Sequence, residues 1–137
     1  MRKAPCKEIY FRSMLNEILS DENMFKSMAQ VMANKGAAGV DGMRTDQMEA
    51  YINANWVTMK ESVLTGSYRP QPVLKVEIPK PQGGTRMLGI PTVVDRMLQQ
   101  AIAQWLSPKY EIEFSEYSYG FRPLRSAHQA VRRCMQM

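Results

Sequence analysis

Lys80 and Arg86 flank the turn sequence Pro81-Gln82-Gly83-Gly84, and a second basic turn, Ser118-Tyr119-Gly120-Phe121-Arg122-Pro123, follows one helix later. Two cations on either side of a proline-glycine turn can face a polyphosphate. Lysine supplies a movable point charge, arginine a fork that engages two oxygens, and glycines let backbone N–H groups approach an anion. The same pair also has a plainer reading, because hairpin tips carry Lys and Arg for solubility. In the second turn Arg122 and Arg125 stand beside Tyr119 and Phe121, a mixture that grips phosphate while a ring packs on sugar or base. Its plainer reading has the rings anchoring a turn and the arginines solvated.

A third candidate lies upstream, where Gly36, Ala37, Ala38 and Gly39 lead into Val40-Asp41-Gly42. Glycines at that density permit close approach of another backbone, although an ordinary helix connector is preferred on the residues alone. Asp41 is expected to order the turn through an Asx hydrogen bond rather than to bind metal. Arg69 either contacts phosphate or is an exposed residue at a strand entrance, and the second reading is slightly preferred.

The elements that position these groups follow from periodicity. Tyr10, Met14, Leu15, Ile18 and Leu19 keep a helical period, as do Met24, Phe25, Met28, Val31 and Met32, with Ser20-Asp21 between the two helices and Gly36 as C-cap of the second. Thr45 or Asp46 caps a helix bearing Met48, Tyr51 and Ile52, and Trp56, Met59, Val63 and Leu64 suggest another short one before Gly66. Pro70 and Pro72 forbid helix and pre-set an extended chain. Leu74, Val76 and Ile78 alternate with Lys75 and Glu77, and Arg86 to Ile90 resumes the extended run, so the segment reads as a hairpin. Thr92 and Asp95 open the next helix in a capping-box-like start, and Asp95 is assigned a structural role. Its apolar face, Val93, Val94, Met97, Leu98, Ala101, Ile102, Trp105 and Leu106, reads as core, leaving Arg96, Gln99, Gln100 and Gln104 elsewhere. Ser126 caps a last helix with Ala127, Ala130, Val131 and Cys134.

Bulk properties bound the function. The 137 residues suffice for one modest core, and the formal net charge of +5 favours a polyanionic partner without demanding one. Cys6, Cys134 and the single histidine, His128, have no zinc-ligand spacing. No window reads as a membrane span or a secretory leader, so a reduced, cytoplasmic protein with no membrane partner is expected. Of the twelve methionines, Met14, Met24, Met28 and Met32 lie on helical patterns and read as core filling in preference to an adaptable RNA-facing surface.

The motif series IPK-PQGG-TR-MLGIPT-VVDR-MLQQA and FSEYSYGFRP-LRSAHQAV resembles the fingers region of group II intron reverse transcriptases, the maturase family of retroelement polymerases. NKGAAGVDGM resembles the N-terminal extension loop of the same family, and together the motifs cover most of residues 34–131. The resemblance implies an α+β chain, mainly helical with one antiparallel β-hairpin. Residues 1–66 would form an N-terminal helical extension and residues 67–137 a partial fingers subdomain of a right-hand polymerase, without its palm. It implies an RNA-directed DNA polymerase acting on an RNA template and primer DNA, with Lys80 and Arg86 on the incoming dNTP triphosphate. Gly36, Ala37, Ala38, Gly39, Arg69, Arg122 and Arg125 would be on the template side. Mg2+ would serve the complete enzyme through palm carboxylates, and in this family those lie downstream of the SYGFRP motif. The chain is therefore expected to be inactive alone, to bind no metal, to need the missing palm and thumb portion, and to expose apolar surface that favours self-association. Two other readings stay open: a non-catalytic maturase module that holds intron RNA during splicing, and the fingers of a CRISPR-associated or other retroelement reverse transcriptase.

Overall fold

A computed structural model of the chain describes residues 5–136, with side chains from Ile9 onward; the Cys6 side chain falls outside the described ones. The fold is mixed, with five α-helices and one two-stranded antiparallel sheet among the described residues. Helices α1 (Pro5–Ile18) and α2 (Asp21–Asn34) are joined at Ser20, whose hydroxyl accepts from the Asn23 N–H as the α2 N-cap. A single 3-10 turn, Thr45–Gln47, leads into α3 (Met48–Leu64). Strands β1 (Leu74–Pro79) and β2 (Thr85–Ile90) form the hairpin, followed by α4 (Val93–Glu111) and α5 (Ala127–Met135).

Two compact units are present, one ending at Trp105 and one beginning at Leu106. The first contains the buried core. Ile18 and Leu19 at the end of α1, Met24 and Val31 of α2, Met48 and Met59 of α3, and Val93, Val94, Met97, Leu98 and Ala101 of α4 gather in one cluster. Polar groups tie α2 to α4 inside it. The buried Ser27 hydroxyl donates to the Met97 carbonyl, and the Asn23 amide donates to the carbonyls of Ile18 and Ala101. Both ties leave buried donors satisfied, which is what makes a polar side chain tolerable there.

Three expectations need correction. The segment 48–64 is one continuous helix rather than two, because nothing between Ile52 and Trp56 breaks the backbone ladder. The left-handed residue that ends α2 is Lys35 (φ 46°), not Gly36. On α4 the buried stripe stops at Ala101, since Ile102 is exposed and Trp105 only half-buried with its indole N–H donating to Glu17. Helix α4 also continues through Pro108 to Glu111, although a proline there removes the hydrogen bond to the carbonyl one turn back.

The second unit has no buried apolar side chain among the described residues. Helix α5 is opened by a complete capping box, with Ser126 accepting from the Gln129 N–H and the Gln129 side chain accepting from the Ser126 N–H. Yet Val131, Met135 and Cys134 on it are exposed. Among the described residues no helix is long and apolar enough to cross a membrane.

Candidate nucleic-acid interface

The hairpin stands on two anchors at its base. Before β1, the buried Asp95 carboxylate accepts from the Tyr68 hydroxyl (2.6 Å) and the Gln71 backbone N–H (3.1 Å), so the extended chain entering the strand is fastened to the first turn of α4. Thr92 completes this node: its hydroxyl donates to Asp95 (2.8 Å) and accepts from the Asp95 N–H. Asp95 thus has the structural role expected from its place in the helix. Burial, reinforced by the hydrogen bond and charge of Asp95, pushes the Tyr68 phenol well above its ordinary range.

The second anchor is the glycine loop. A β-carbon on Gly39 would lie 2.8 Å from the Thr92 backbone, just beyond the end of β2, and one on Gly36 would lie 2.2 Å from the Arg96 guanidinium. Arg96 in turn donates to the Ala37 carbonyl (2.6 Å). The close approach foreseen for these glycines is therefore made within the chain, against the start of α4. Asp41 forms the expected Asx bond, accepting from the Met43 N–H at 3.1 Å.

Above these anchors the strands project with little cover. Their register pairs Leu74 with Ile90, Val76 with Leu88 and Ile78 with Arg86, so alternation sets Arg86 on the apolar face of the ribbon. At the tip the Lys80 N–H donates to the Gly84 carbonyl and the Lys80 carbonyl accepts from the Gly83 N–H. Both backbone groups of Lys80 face the partner strand, so the nitrogen of Pro79 points away from it, where a missing donor costs no ladder bond. Gly83 and Gly84 take φ of 91° and 79°, a conformation that side chains with a β-carbon resist. Lys80 and Arg86 are both exposed, and neither side chain has a hydrogen-bond or ionic partner among the described residues.

Arg122 is the opposite case. Its Nε and one terminal nitrogen donate to Glu111 Oε1 (3.0 and 2.8 Å), that same nitrogen reaches the Glu111 carbonyl, and the other donates to the carbonyls of Ser115 (2.7 Å) and Ser118 (2.9 Å). The guanidinium also lies over the Phe114 ring, 5.4 Å from its centroid. Five bonds use all five donors of the fork. The side chain is 8% exposed, so in this conformation no donor is left for a phosphate. Arg125 donates once, to the Glu116 carbonyl, and stacks over Tyr119. Neighbouring Phe121 and Leu124 hold positive φ (55° and 59°) with side chains fully exposed.

Arg69 is exposed and only loosely held, by long contacts to the carbonyls of Gly66 and Tyr68. It borders a cavity of about 370 Å³ that also contains Asp41 and Met43 from the glycine-loop region. The structure thus brings Arg69 and that loop region together within the first unit, as the hairpin base does for the loop itself. Composition could not show the donor count of Arg122 or the anchoring by Asp95 and Tyr68; the spacing of Thr92 and Asp95 was the one visible signal. Among the described residues no group of three or more His, Cys, Asp or Glu is placed to hold a metal ion.

No protein-family model matches the chain. It is 36% identical over 121 residues to Protein YkfC of Escherichia coli, an alignment covering 87% of this chain and 32% of that protein. It is 32% identical over 123 residues to the group II intron-encoded protein LtrA of Lactococcus lactis, covering 89% of this chain and 20% of that protein. The chain therefore spans about a third and a fifth of the length of these relatives. The resemblance carried by the motifs is a homology to group II intron-encoded proteins that runs through most of the chain.

Proposed function

We propose, from this homology to group II intron-encoded proteins, that the chain supplies the fingers and N-terminal extension of an RNA-directed DNA polymerase. In this reading the hairpin tip receives the triphosphate of the incoming dNTP, while the loop Gly36–Gly39 and Arg69 face the RNA template. The observation that carries it is the pair of exposed cations, Lys80 and Arg86, without a partner among the described residues, on a hairpin whose base is fastened to α4. A cation without a protein partner keeps its charge for a ligand, and a rigid base limits the ordering cost of binding. Arg122 is reassigned from template contact to holding the second unit together, because its donors are already satisfied. Arg125 retains open donors and stays on the template side.

Phosphoryl transfer of this kind needs carboxylates that hold Mg2+. Three of the described aspartates are already committed elsewhere, since Asp95 is buried in its network, Asp41 closes its turn and Asp46 pairs with Arg44. No catalytic step is assigned to this chain.

Two experiments test the reading. Binding of a deoxynucleoside triphosphate to the chain across a salt series should weaken and lose salt dependence in each of Lys80→Ala and Arg86→Ala. In a complete polymerase carrying these fingers, either change should raise the nucleotide KM or slow single-nucleotide incorporation; unchanged kinetics in both mutants would defeat the assignment. The name of the LtrA relative also supports a second reading, a module that grips folded intron RNA without polymerising. Preference for a folded intron RNA over a primer–template duplex, insensitive to Lys80 and Arg86, would select it.

A further inference from the structure

The cavity beside Arg69 has the makings of a binding site in its own right. One wall is the α3 face carrying Tyr51, Asn55 and Thr58, side chains three and four residues apart that lie on one side of a helix. Arg69 and Gln71 also line the cavity, from the segment fastened to Asp95. The buried Met59, Thr92 and Val94 line it as well, together with Asp41. Its volume of about 370 Å³ falls in the range of about 300–1,000 Å³ that holds small ligands.

The polar groups of these walls are largely uncommitted. The Asn55 amide donates to the Tyr51 carbonyl, leaving its oxygen open. The hydroxyls of Tyr51 and Thr58 and the Gln71 side-chain amide have no hydrogen-bond partner among the described residues. Donors and acceptors therefore share the lining with apolar side chains, one cation, Arg69, and one carboxylate, Asp41.

We infer that this cavity takes a single unpaired nucleotide, with its base against Tyr51 and its phosphate on Arg69. A bare phosphate would use Arg69 alone and meet Asp41 as a like charge. An apolar ligand would leave the amides unpaired at a cost. A nucleobase supplies a flat ring for the tyrosine and both donors and acceptors for the amides and Asp41, while its phosphate matches Arg69. The open ring face and the Watson–Crick edge are available only outside a duplex, so the ligand is unpaired. This inference rests on the proposal that the loop and Arg69 face nucleic acid, and it adds the form in which they do so.

Met43 and Met59 line the cavity and report on it. In the full chain with carbon-13-labelled methionine methyls, adenosine and cytidine 5′-monophosphate should shift the Met43 and Met59 resonances saturably, and ribose 5-phosphate should not. Tyr51→Ala and Arg69→Ala should each weaken nucleotide binding by about tenfold, with the other methionine signals confirming that the variants fold. Lys26→Ala, at an exposed cation that pairs with Glu22 and does not line the cavity, should leave it unchanged. Equal shifts from ribose 5-phosphate, no saturable shift, or indifference to both Tyr51→Ala and Arg69→Ala would overturn the inference. The triphosphate salt series with Lys80→Ala and Arg86→Ala separates the two ideas: if it succeeds while the mononucleotides fail to shift Met43 and Met59, only the cavity assignment falls, and the reverse result removes the hairpin reading and keeps the cavity.

Discussion

The turn at Pro81–Gly84 and the turn at Ser118–Pro123 are built from similar residues, glycine, proline and arginine beside apolar neighbours, and they treat their cations in opposite ways. In the first, backbone hydrogen bonds between Lys80, Gly83 and Gly84 close the turn, so the Lys80 and Arg86 side chains are not needed to hold it. In the second, few backbone bonds close the loop from Glu111 to Arg125, and Arg122 supplies five instead. The contrast extends to the units that contain them. The first unit buries a methionine-rich apolar core; the second has none among the described residues and relies on Arg122 over Phe114, Arg125 over Tyr119 and Arg133 over Tyr117. A basic residue is thus available for a ligand only where something else has already satisfied the backbone around it.

The sharpest way to break this comparison is Arg122→Ala. It strands the Glu111 carboxylate and two loop carbonyls, and should destabilise the second unit by about 2–4 kcal/mol. Amide hydrogen exchange should show protection lost across 111–125 and kept in α2 and α4. A mutant that keeps its protection but binds duplex more weakly would return Arg122 to the phosphate-binding set.

The anchoring of the hairpin base comes next in size. Gly39→Ala drives a β-carbon against the Thr92 backbone, which cannot give way, and should cost about 1–3 kcal/mol in urea unfolding. Gly36→Ala meets only the end of the Arg96 side chain, which can turn aside at the expense of its bond to the Ala37 carbonyl, and should cost less. Equal costs at the two positions would mean that the loop does not brace the strands.

Tyr68 offers a pH test of the same anchor. Its phenol is raised above the ordinary value of 10, so the folded state holds this proton more tightly than the unfolded chain. The associated stability is complete below the unfolded value and declines as pH climbs through the alkaline range towards the folded one. Tyr68→Phe should therefore show a shallower alkaline loss of stability than the parent; identical profiles would remove the phenol–carboxylate bond from the hairpin's support. The smallest effect is expected at the tip itself, where Lys80→Ala and Arg86→Ala should each change stability by no more than about 0.5 kcal/mol, since neither side chain has a partner among the described residues. A larger loss would show that the two cations serve the fold.

Features governed by neighbours along the chain were legible in advance. The Thr92–Asp95 start of α4, the Asx bond of Asp41 and the Ser126 cap depend on groups within a few residues of one another, and the hairpin on two alternating strands joined by a short turn, so side-chain type with backbone preference settles such contacts locally. The continuity of α3 was missed because two stretches of helical period separated by polar residues look like two helices when no partner surface is known. The exposure of Ile102 was missed for a related reason: the apolar stripe gives the direction of a face but not the extent of what covers it.

The sequence by itself determined that the chain carries basic turns on a mainly helical frame with one hairpin, and its motifs marked its kinship with group II intron-encoded proteins. Only the tertiary structure decided which cations remain free. Arg122 meets a carboxylate 11 residues away in the chain, and Tyr68 meets one 27 residues away. Such pairings depend on where the chain returns in space, and no local propensity encodes that.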